Sequence, residues 1–164
     1  MTPDSIQVRR ADLSTSSDAE AMLLLLDSYA TDLMGGGAPL REDVRVRLPG
    51  DLHARPGTLV LIAWIEAAPA GLAIAFEGYS TFEARRLLNL HDFVVAPSFR
   101  GRGVARQLLS ALEGAARERD CCKITLEVLE NNGRARGIYA QAGFAGYELD
   151  PAAGKALFLQ KKLS

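Results

Sequence analysis

The sequence predicts one α+β domain, residues 1–164, built on a mixed, mostly antiparallel central sheet of about seven strands with about four helices. The first observation is composition: 164 residues with 48% hydrophobic and 24% charged residues suit a single domain with an ordinary core. The second is the order of periodic segments, β-α-α-β-β-β-α-β-α-β-β. The third is that three consecutive strands precede a helix and a further strand. This order implies antiparallel pairing followed by one parallel β-α-β step.

The first half of the chain alternates between strands and helices. Residues 6–10 alternate apolar and polar side chains, as a half-buried strand does. Apolar residues at helical spacing predict a helix over residues 18–33, which a run of glycines ends, and a shorter helix over residues 41–48. Residues 60–66 and 69–79 are apolar and β-branched around a tight turn, which predicts a hairpin.

The second half contains the parallel step. Residues 88–95 predict a strand, and residues 105–119 predict a helix with one apolar face. Residues 123–129 alternate most regularly and are the clearest strand pattern in the chain. The remaining predicted elements are a helix over 131–141 and a closing pair of strands over 144–149 and 156–161.

The most informative segment is a glycine-rich turn, residues 100–105, with the sequence RGRGVA. It lies between a predicted strand and a predicted helix, where free backbone N–H groups and the helix dipole favour an anion. Its glycines allow close approach of the backbone, and Arg100, Arg102 and Arg106 add positive charge. The turn therefore predicts a phosphate or pyrophosphate site, against the alternative of an ordinary surface turn rich in Arg and Gly.

The spacing narrows the class of phosphate ligand. The Walker pattern needs Lys and Ser or Thr where this chain has Val104 and Ala105, and the dinucleotide pattern G-x-G-x-x-G ends here in Arg106. The pattern that fits is (Q/R)-x-x-G-x-(G/A), at Arg100, Gly103 and Ala105. It resembles the pyrophosphate loop of the GCN5-related N-acetyltransferases (GNAT), which bind acetyl-coenzyme A.

A second block resembles the same family. Residues 126–128 read LEV, and residues 132–144 read N-x-x-A-x-x-I-Y-x-x-x-G-F. The two blocks together span residues 88–144. The resemblance implies a GNAT-like sheet with a splayed parallel pair of strands and an acetyl-CoA-dependent N-acetyltransferase. The acceptor would be a primary amine of a small molecule or of a protein or peptide N-terminus.

The resemblance also implies the contacts of the donor. The backbone of the strand before the loop would pair with the pantetheine arm, the loop would cradle the pyrophosphate, and an asparagine would bind the pantetheine or orient the acetyl end. The implied cofactor-binding residues are Phe93, Val94, Val95, Arg100, Gly101, Arg102, Gly103, Val104, Ala105, Asn132 and Tyr139. No metal is implied.

Three residues are candidates for proton transfer. The resemblance makes Tyr139 the general acid beside the departing sulfur and Glu127 the general base that deprotonates the amine. Asp92 competes with Glu127, and alternation along a strand would place His91 on the opposite face from it. The structural alternatives stay open: Tyr139 as a packing residue, and Glu127 as a solvated charge or the partner of an arginine.

Composition bears on partners. The net charge of −1 and pI near 6.1 argue against a nucleic-acid binder, and the longest apolar runs are too short to cross a membrane. The N-terminus has no signal-peptide pattern, so we expect a cytoplasmic protein.

Cys121 and Cys122 predict half-buried free thiols, and the resemblance suggests a homodimer. Two rival functions remain: a non-catalytic acyl-CoA-binding or sensor module of the same fold, and an unrelated nucleotide-binding protein.

Overall fold

The computed structural model describes residues 5–147 and 150–163. Five strands and four longer helices follow one another in the described part of the chain. Their bounds are β1 Ile6–Arg10, α1 Ser16–Thr31, α2 Glu42–Ala54, β2 Thr58–Ile65, β3 Ala68–Ser80, β4 Arg85–Val95, α3 Val104–Glu118, β5 Ile124–Leu126 and α4 Gly133–Gln141. Short 3₁₀ helices lie at Leu33–Gly35, Pro97–Phe99 and Pro151–Ala153.

The sheet has the mixed topology that the sequence predicts. Its strands lie in the order β1-β2-β3-β4-β5. The first four pair antiparallel, and β4 pairs with β5 in parallel through the crossover helix α3. The prediction of about seven strands is wrong, because the sheet formed by the described residues has five. Residues 144–147 and 156–161 are not in strands, and residues 148 and 149 of the predicted pair lie outside the described residues.

The core lies in two layers, one on each face of the sheet. On one face, the buried apolar side of α3 packs against alternate residues of β2, β3 and β4 together with Tyr139 of α4. On the other face, α1 and Leu52 of α2 cover the intervening residues of the same strands. Strand alternation places successive side chains on opposite faces, so one sheet supports both layers.

A β-bulge in β4 shifts which residues reach each layer. Ile74 of β3 pairs with Asp92, whereas the next residue, Ala75, pairs with Leu90, so His91 is the extra residue. Leu90 before the bulge and Phe93 after it therefore both face α3 and α4. Strict alternation from Leu90 would have put Phe93 on the α1 face.

Two element lengths differ from the sequence prediction. Helix α2 continues through Pro49 to Ala54, beyond the predicted end at residue 48, and buries Leu52 against α1 and the sheet. Strand β5 covers only Ile124–Leu126, although the alternating pattern extends over 123–129. The chain leaves the sheet after Leu126, and this early end creates the cleft described next.

Candidate active site

The cleft opens where β4 loses its neighbouring strand. Leu88–Leu90 pair with Ile124–Leu126, and no described strand lies beside β4 on this edge after Leu90. A cleft of about 1830 Å³ occupies the gap, lined by β4, the loop before α3, the start of α4 and the end of α1. Ligand pockets commonly measure about 300–1,000 Å³, so this cleft can hold a long ligand.

The glycine-rich loop lies at this cleft. Gly101 and Gly103 adopt φ of +75° and +88°, in the left-handed region that favours glycine. Gly103 is the N-cap of α3, and no described side chain caps this helix end. The Gln107 N–H donates to Gly103 O at 3.1 Å. The N–H groups that precede it in the first turn of α3 remain available to a ligand. The loop therefore has the geometry of an anion site.

Arginines flank this helix end. Arg100 Nε donates to Val95 O at 3.3 Å, and its Nη2 lies 3.8 Å from Asp32 Oδ2 at the end of α1. The Arg102 guanidinium lies over the Phe99 ring at 5.5 Å, and Arg106 lines the cleft from α3. These side chains place positive charge around the free N–H groups, which favours a pyrophosphate-sized anion.

The remaining residues of the loop have structural roles. Val104 is 1% exposed and packs in the core beneath the loop. Ala105 is half-buried and lines the cleft. A small residue at this position leaves the mouth of the cleft open, and the buried valine fixes the direction of α3.

Tyr139 reaches the cleft from the buried side of α4. Its side chain is 9% exposed and packs against Phe93 and Phe144, with both ring centroids 5.8 Å away. Its hydroxyl has no hydrogen-bond partner among the described residues, yet it is not one of the fully buried unpaired atoms, so it contacts the cleft. Burial, with a smaller contribution from Tyr29, raises the pKa of Tyr139 to about 12.

The two candidate bases lie in different environments. Glu127 follows the last residue of β5, is exposed and lines the cleft. Asp92 is half-buried in β4, and burial raises its pKa against an opposing effect of His91.

The expectation that His91 and Asp92 face opposite sides of the sheet is wrong. The His91 ring contacts Phe76, which packs against the α1 layer, with centroids 5.3 Å apart. Asp92 pairs across the sheet with Ile74, which belongs to the α1 layer, so it lies on the same side. The bulge at His91 is the physical reason, because two residues of the bulged strand there oppose one residue of its partner.

The other predicted donor contacts divide between backbone and side chain. Val94 is buried in the α1 layer and Val95 is half-buried, so only their backbone is placed at the open edge of β4. Asn132 lines the cleft, but its Oδ1 accepts the Ala135 N–H at 3.2 Å as the N-cap of α4. Its amide NH₂ therefore remains as the group that can donate to a ligand.

Sequence reasoning missed Tyr29 and Asp32. Both line the cleft from the end of α1. In the sequence, Tyr29 is only one of the apolar residues whose spacing predicts the helix. No motif marks either residue, because the reason for their position is the packing of α1 against β4. Asp32 Oδ1 also accepts the Met34 N–H at 2.9 Å, which starts the 3₁₀ helix Leu33–Gly35.

Family comparison identifies the chain at this point. A sequence model of the Acetyltransferase (GNAT) family matches residues 24–144, more than half of the chain, and spans both the loop and Tyr139. The chain belongs to the GNAT acetyltransferase family. This match confirms the resemblance to the family that the two motif blocks indicated. Members of this family use acetyl-CoA as cosubstrate.

Individual relatives of this GNAT protein are also N-acetyltransferases by name. An uncharacterized N-acetyltransferase, YhfO, from Bacillus subtilis (strain 168) is 29% identical over 135 residues, covering 79% of this chain and 85% of the relative. The thialysine N-epsilon-acetyltransferase of Bos taurus is 30% identical over 91 residues, covering 51% and 53%. These similarities support N-acetyltransferase activity as the general class.

Solved structures share the fold of this GNAT protein. Ribosomal-protein-alanine N-acetyltransferase from Brucella melitensis biovar Abortus 2308 superimposes with a TM-score of 0.73 at 23% identity, over 89% of this chain and 96% of that chain. AAC(6')-Iy, in complex with the bisubstrate analog CoA-S-monomethyl-acetylneamine, gives 0.77 at 19% identity, over 96% and 99%. At these identities the likeness concerns the fold alone.

The residues of this GNAT protein fit a coenzyme A donor. A Cβ built at Gly101 meets no heavy atom within 4 Å, and one at Gly103 meets only Ile6 Cδ1 at 3.9 Å, so the space before the loop is open. Open space, left-handed glycines and uncapped N–H groups together suit a pyrophosphate. Among the residues that the structure describes, no group of three or more His, Cys, Asp or Glu is placed to hold a metal ion.

Two further features concern the rest of the chain. Cys121 and Cys122 are free, half-buried thiols between α3 and β5, as predicted. No helix within residues 5–147 and 150–163 is long and apolar enough to cross a membrane.

Proposed function

We propose that this protein is an acetyl-CoA-dependent N-acetyltransferase of one catalytic domain that transfers an acetyl group to a primary amine. The acceptor would be a small molecule or a protein or peptide N-terminus, which attacks directly in a ternary complex. The observation that carries the proposal is the pairing, across one cleft, of an uncapped helix N-terminus at Gly103 with the unpartnered hydroxyl of Tyr139. One holds an anion and the other can supply a proton.

Donor binding would use the loop and the open edge of β4. The first-turn N–H groups of α3, with Arg100 and Arg106, would hold the pyrophosphate. The edge of β4 beyond Leu90, which β5 does not cover, would pair with the amide-containing arm as an added strand does. When bound, acetyl-CoA supplies an activated acetyl thioester and a thiol leaving group.

The protein's own groups would move two protons. Glu127 accepts the proton of the amine as general base, since it is an exposed carboxylate at the cleft, and Asp92 is the alternative base. Tyr139 acts as general acid. A pKa of about 12 keeps its hydroxyl protonated, so it donates a hydrogen bond to the leaving sulfur and gives up the proton only as negative charge builds there.

A thiol-release assay with acetyl-CoA against a panel of amines and peptide N-termini tests the proposal. We expect release that depends on an amine, and calorimetric binding of acetyl-CoA without comparable binding of ATP. Tight ATP binding without coenzyme A binding would instead favour the nucleotide-binding alternative. Donor binding without turnover of any acceptor would favour an acyl-CoA sensor of the same fold.

Variants separate the roles of the proton-transfer residues. Tyr139→Phe and Glu127→Gln should each lower kcat by about 10²–10⁴-fold, the usual contribution of general acid–base catalysis. Asp51→Asn is the matched control, because Asp51 lies on α2 outside the cleft and pairs with Arg47. If Glu127→Gln keeps full activity while Asp92→Asn loses it, Asp92 is the base.

A further inference from the structure

The backbone of Val95 faces the edge of β4 that β5 does not cover. The next residue, Ala96, donates its N–H to Ala70 O beside β3 at 2.9 Å. In an antiparallel ladder, consecutive residues alternate between bonding their neighbouring strand and facing away from it, so Val95 directs its N–H and C=O away from β3. Strand β5 pairs only with Leu88–Leu90, and Val95 O therefore lies at an edge with no strand partner among the described residues.

The side chain of Arg100 binds this carbonyl. Its Nε donates to Val95 O at 3.3 Å. Its Nη2 lies 3.8 Å from Asp32 Oδ2, in an ion pair whose two side chains are 37% and 41% exposed. All three residues line the cleft. The guanidinium thus lies across the open edge of β4, between a backbone oxygen of the strand and a carboxylate at the end of α1.

Asp32 is a fixed anchor for that guanidinium. Its backbone oxygen accepts the N–H of Gly35 at 2.9 Å and the N–H of Gly37 at 3.0 Å. Its Oδ1 accepts the Met34 N–H at 2.9 Å. These three hydrogen bonds to the following residues hold the aspartate in place and direct Oδ2, its other carboxylate oxygen, at Arg100.

The contacts of Arg100 conflict with what the proposed donor needs. An arm that pairs with the open edge of β4 requires Val95 O as an acceptor, and a pyrophosphate at the start of α3 requires Arg100 as a cation. A guanidinium binds phosphate oxygens more strongly than a neutral carbonyl, and an exposed ion pair adds little. Binding a phosphate therefore compensates Arg100 for leaving Val95 O, whereas an uncharged arm must displace it without compensation.

We propose that Arg100, held by Asp32, determines donor specificity. It excludes thioesters without a phosphate from the open edge of β4, and it admits those for which it leaves Val95 O to bind a pyrophosphate. The phosphate end and the arm of the donor are thereby coupled, because the contact that one makes exposes the carbonyl that the other needs. This inference rests on the proposed acetyl-CoA-dependent function and names the residues that select its donor.

The test uses the full-length protein and two probes, acetyl-CoA and acetyl-pantetheine, which has the same arm and thioester but no phosphate. Calorimetry measures both Kd values, by displacement for the weaker probe. Arg100→Ala should raise the acetyl-CoA Kd about ten-fold or more, the loss of one hydrogen bond to a charged group. It should lower the acetyl-pantetheine Kd about two- to ten-fold, because that arm no longer displaces a hydrogen bond to Val95 O.

Arg106→Ala is the matched control. Arg106 lines the same cleft and has no hydrogen bond or ion pair within the described ranges, so its loss should raise the acetyl-CoA Kd without tightening acetyl-pantetheine. Asp32→Asn keeps a side-chain oxygen for the Met34 N–H but loses the ion pair, and it should tighten both probes about two- to five-fold. Inorganic pyrophosphate should tighten acetyl-pantetheine in the wild type and have no such effect in Arg100→Ala.

The outcomes separate this inference from the proposed function. An acetyl-pantetheine Kd that is unchanged or raised in Arg100→Ala overturns donor selection by Arg100, as does equal tightening in Arg106→Ala. A lack of tightening in Asp32→Asn overturns the part assigned to Asp32. All three results leave the transferase function standing, because amine-dependent thiol release from acetyl-CoA decides that function. Absence of acetyl-CoA binding to the wild type overturns both.

Discussion

The rings of Phe93 and Tyr139 pack with centroids 5.8 Å apart, although one belongs to β4 and the other to α4. The bulge at His91 makes this contact, because it turns Phe93 toward the α4 layer. The ring contact holds Tyr139 from one side and Phe144 holds it from another, so the phenol is fixed in direction while its hydroxyl remains unpartnered. Fixed direction and a free hydrogen-bonding group are what a proton donor in a reaction centre needs.

The pH dependence of turnover should reflect the raised pKa of Tyr139. With a pKa of about 12 the hydroxyl stays protonated through the alkaline range, so kcat should show no loss centred near pH 10 from ionisation of this residue. The measurement is kcat at saturating substrates from about pH 6 to 10.5, which spans the ordinary phenol pKa. Tyr139→Phe should keep its packing and its melting temperature but turn over slowly at every pH. A full-activity Tyr139→Phe enzyme would contradict the assignment.

The backbone conformation of Gly103 should matter for donor binding. Alanine at φ +88° costs about 1–2 kcal/mol, so Gly103→Ala should relax the loop and raise the acetyl-CoA Kd about ten-fold or more. The control is Gly154→Ala, because Gly154 has a similar φ of +81° and lies outside the cleft. It should leave the Kd unchanged. Calorimetry measures both, and equal affinities for the two variants would show that the loop does not hold the donor.

Gly71 allows the sheet to approach α3 closely. A Cβ there would lie 2.8 Å from Leu108 Cδ1 and from Val104 Cγ1, and 3.1 Å from the backbone oxygen of Val94. Gly71→Ala should therefore destabilise the fold by about 1–3 kcal/mol, as other overpacked core substitutions do. Because Val104 follows the loop directly, donor affinity should fall as well. Chemical denaturation and calorimetry measure the two effects.

The matched control is Gly114, which lies in α3, the helix that Gly71 faces. A Cβ at Gly114 meets no heavy atom within 4 Å, and the residue is inside α3. Gly114→Ala should stabilise the protein by up to about 1 kcal/mol, the difference in helix propensity, with donor affinity unchanged. Destabilisation by Gly114→Ala equal to that by Gly71→Ala would show that the close approach at Gly71 is not the cause.

Ionisation of Asp18 and of Asp92 should change the free energy of unfolding in opposite directions. Asp18 is 3% exposed; its hydrogen bonds from the Arg9 side chain lower its pKa most, and the Asp12 N–H adds to the effect. A lowered pKa stabilises the folded state above the unfolded value of about 3.9, and that stability is lost as pH falls through the folded pKa. Asp18→Asn should therefore destabilise the protein at pH 7 by about 1.5–3 kcal/mol, with the deficit shrinking in acid.

Asp92 provides the contrast. Burial raises its pKa, so the folded state favours the protonated form and the ionised carboxylate costs stability at neutral pH. Asp92→Asn should melt at a higher temperature than the wild type at pH 7, and the difference should vanish as pH falls below the unfolded carboxyl pKa of about 3.9. Thermal melts at several pH values measure both variants. A lower melting temperature for Asp92→Asn at pH 7 would mean that Asp92 has a stabilising partner.

Local patterns account for most of the fold and for the glycine-rich loop of the candidate site. Periodicity predicted β1, the four helices and the parallel step across α3, because each element buries one apolar stripe. The loop at Gly103 was predictable because a left-handed glycine before an uncapped helix is a property of neighbouring residues. The glutamate and tyrosine of the second block were named from the family resemblance, and their roles remain predictions.

Only the tertiary structure decided the faces of β4 and the α1 side of the cleft. No local signal marks the bulge at His91, since it arises from how β4 pairs with β3, and it places Asp92 on the α1 side together with His91. Strand alternation likewise could not reveal that β5 ends at Leu126, which leaves Glu127 exposed and opens the cleft. The sequence by itself determined where the glycine-rich turn and the uncapped start of α3 lie. The packing of α1 against β4 decided that Tyr29 lines the same cleft as Tyr139, because that contact joins residues that are distant in the chain.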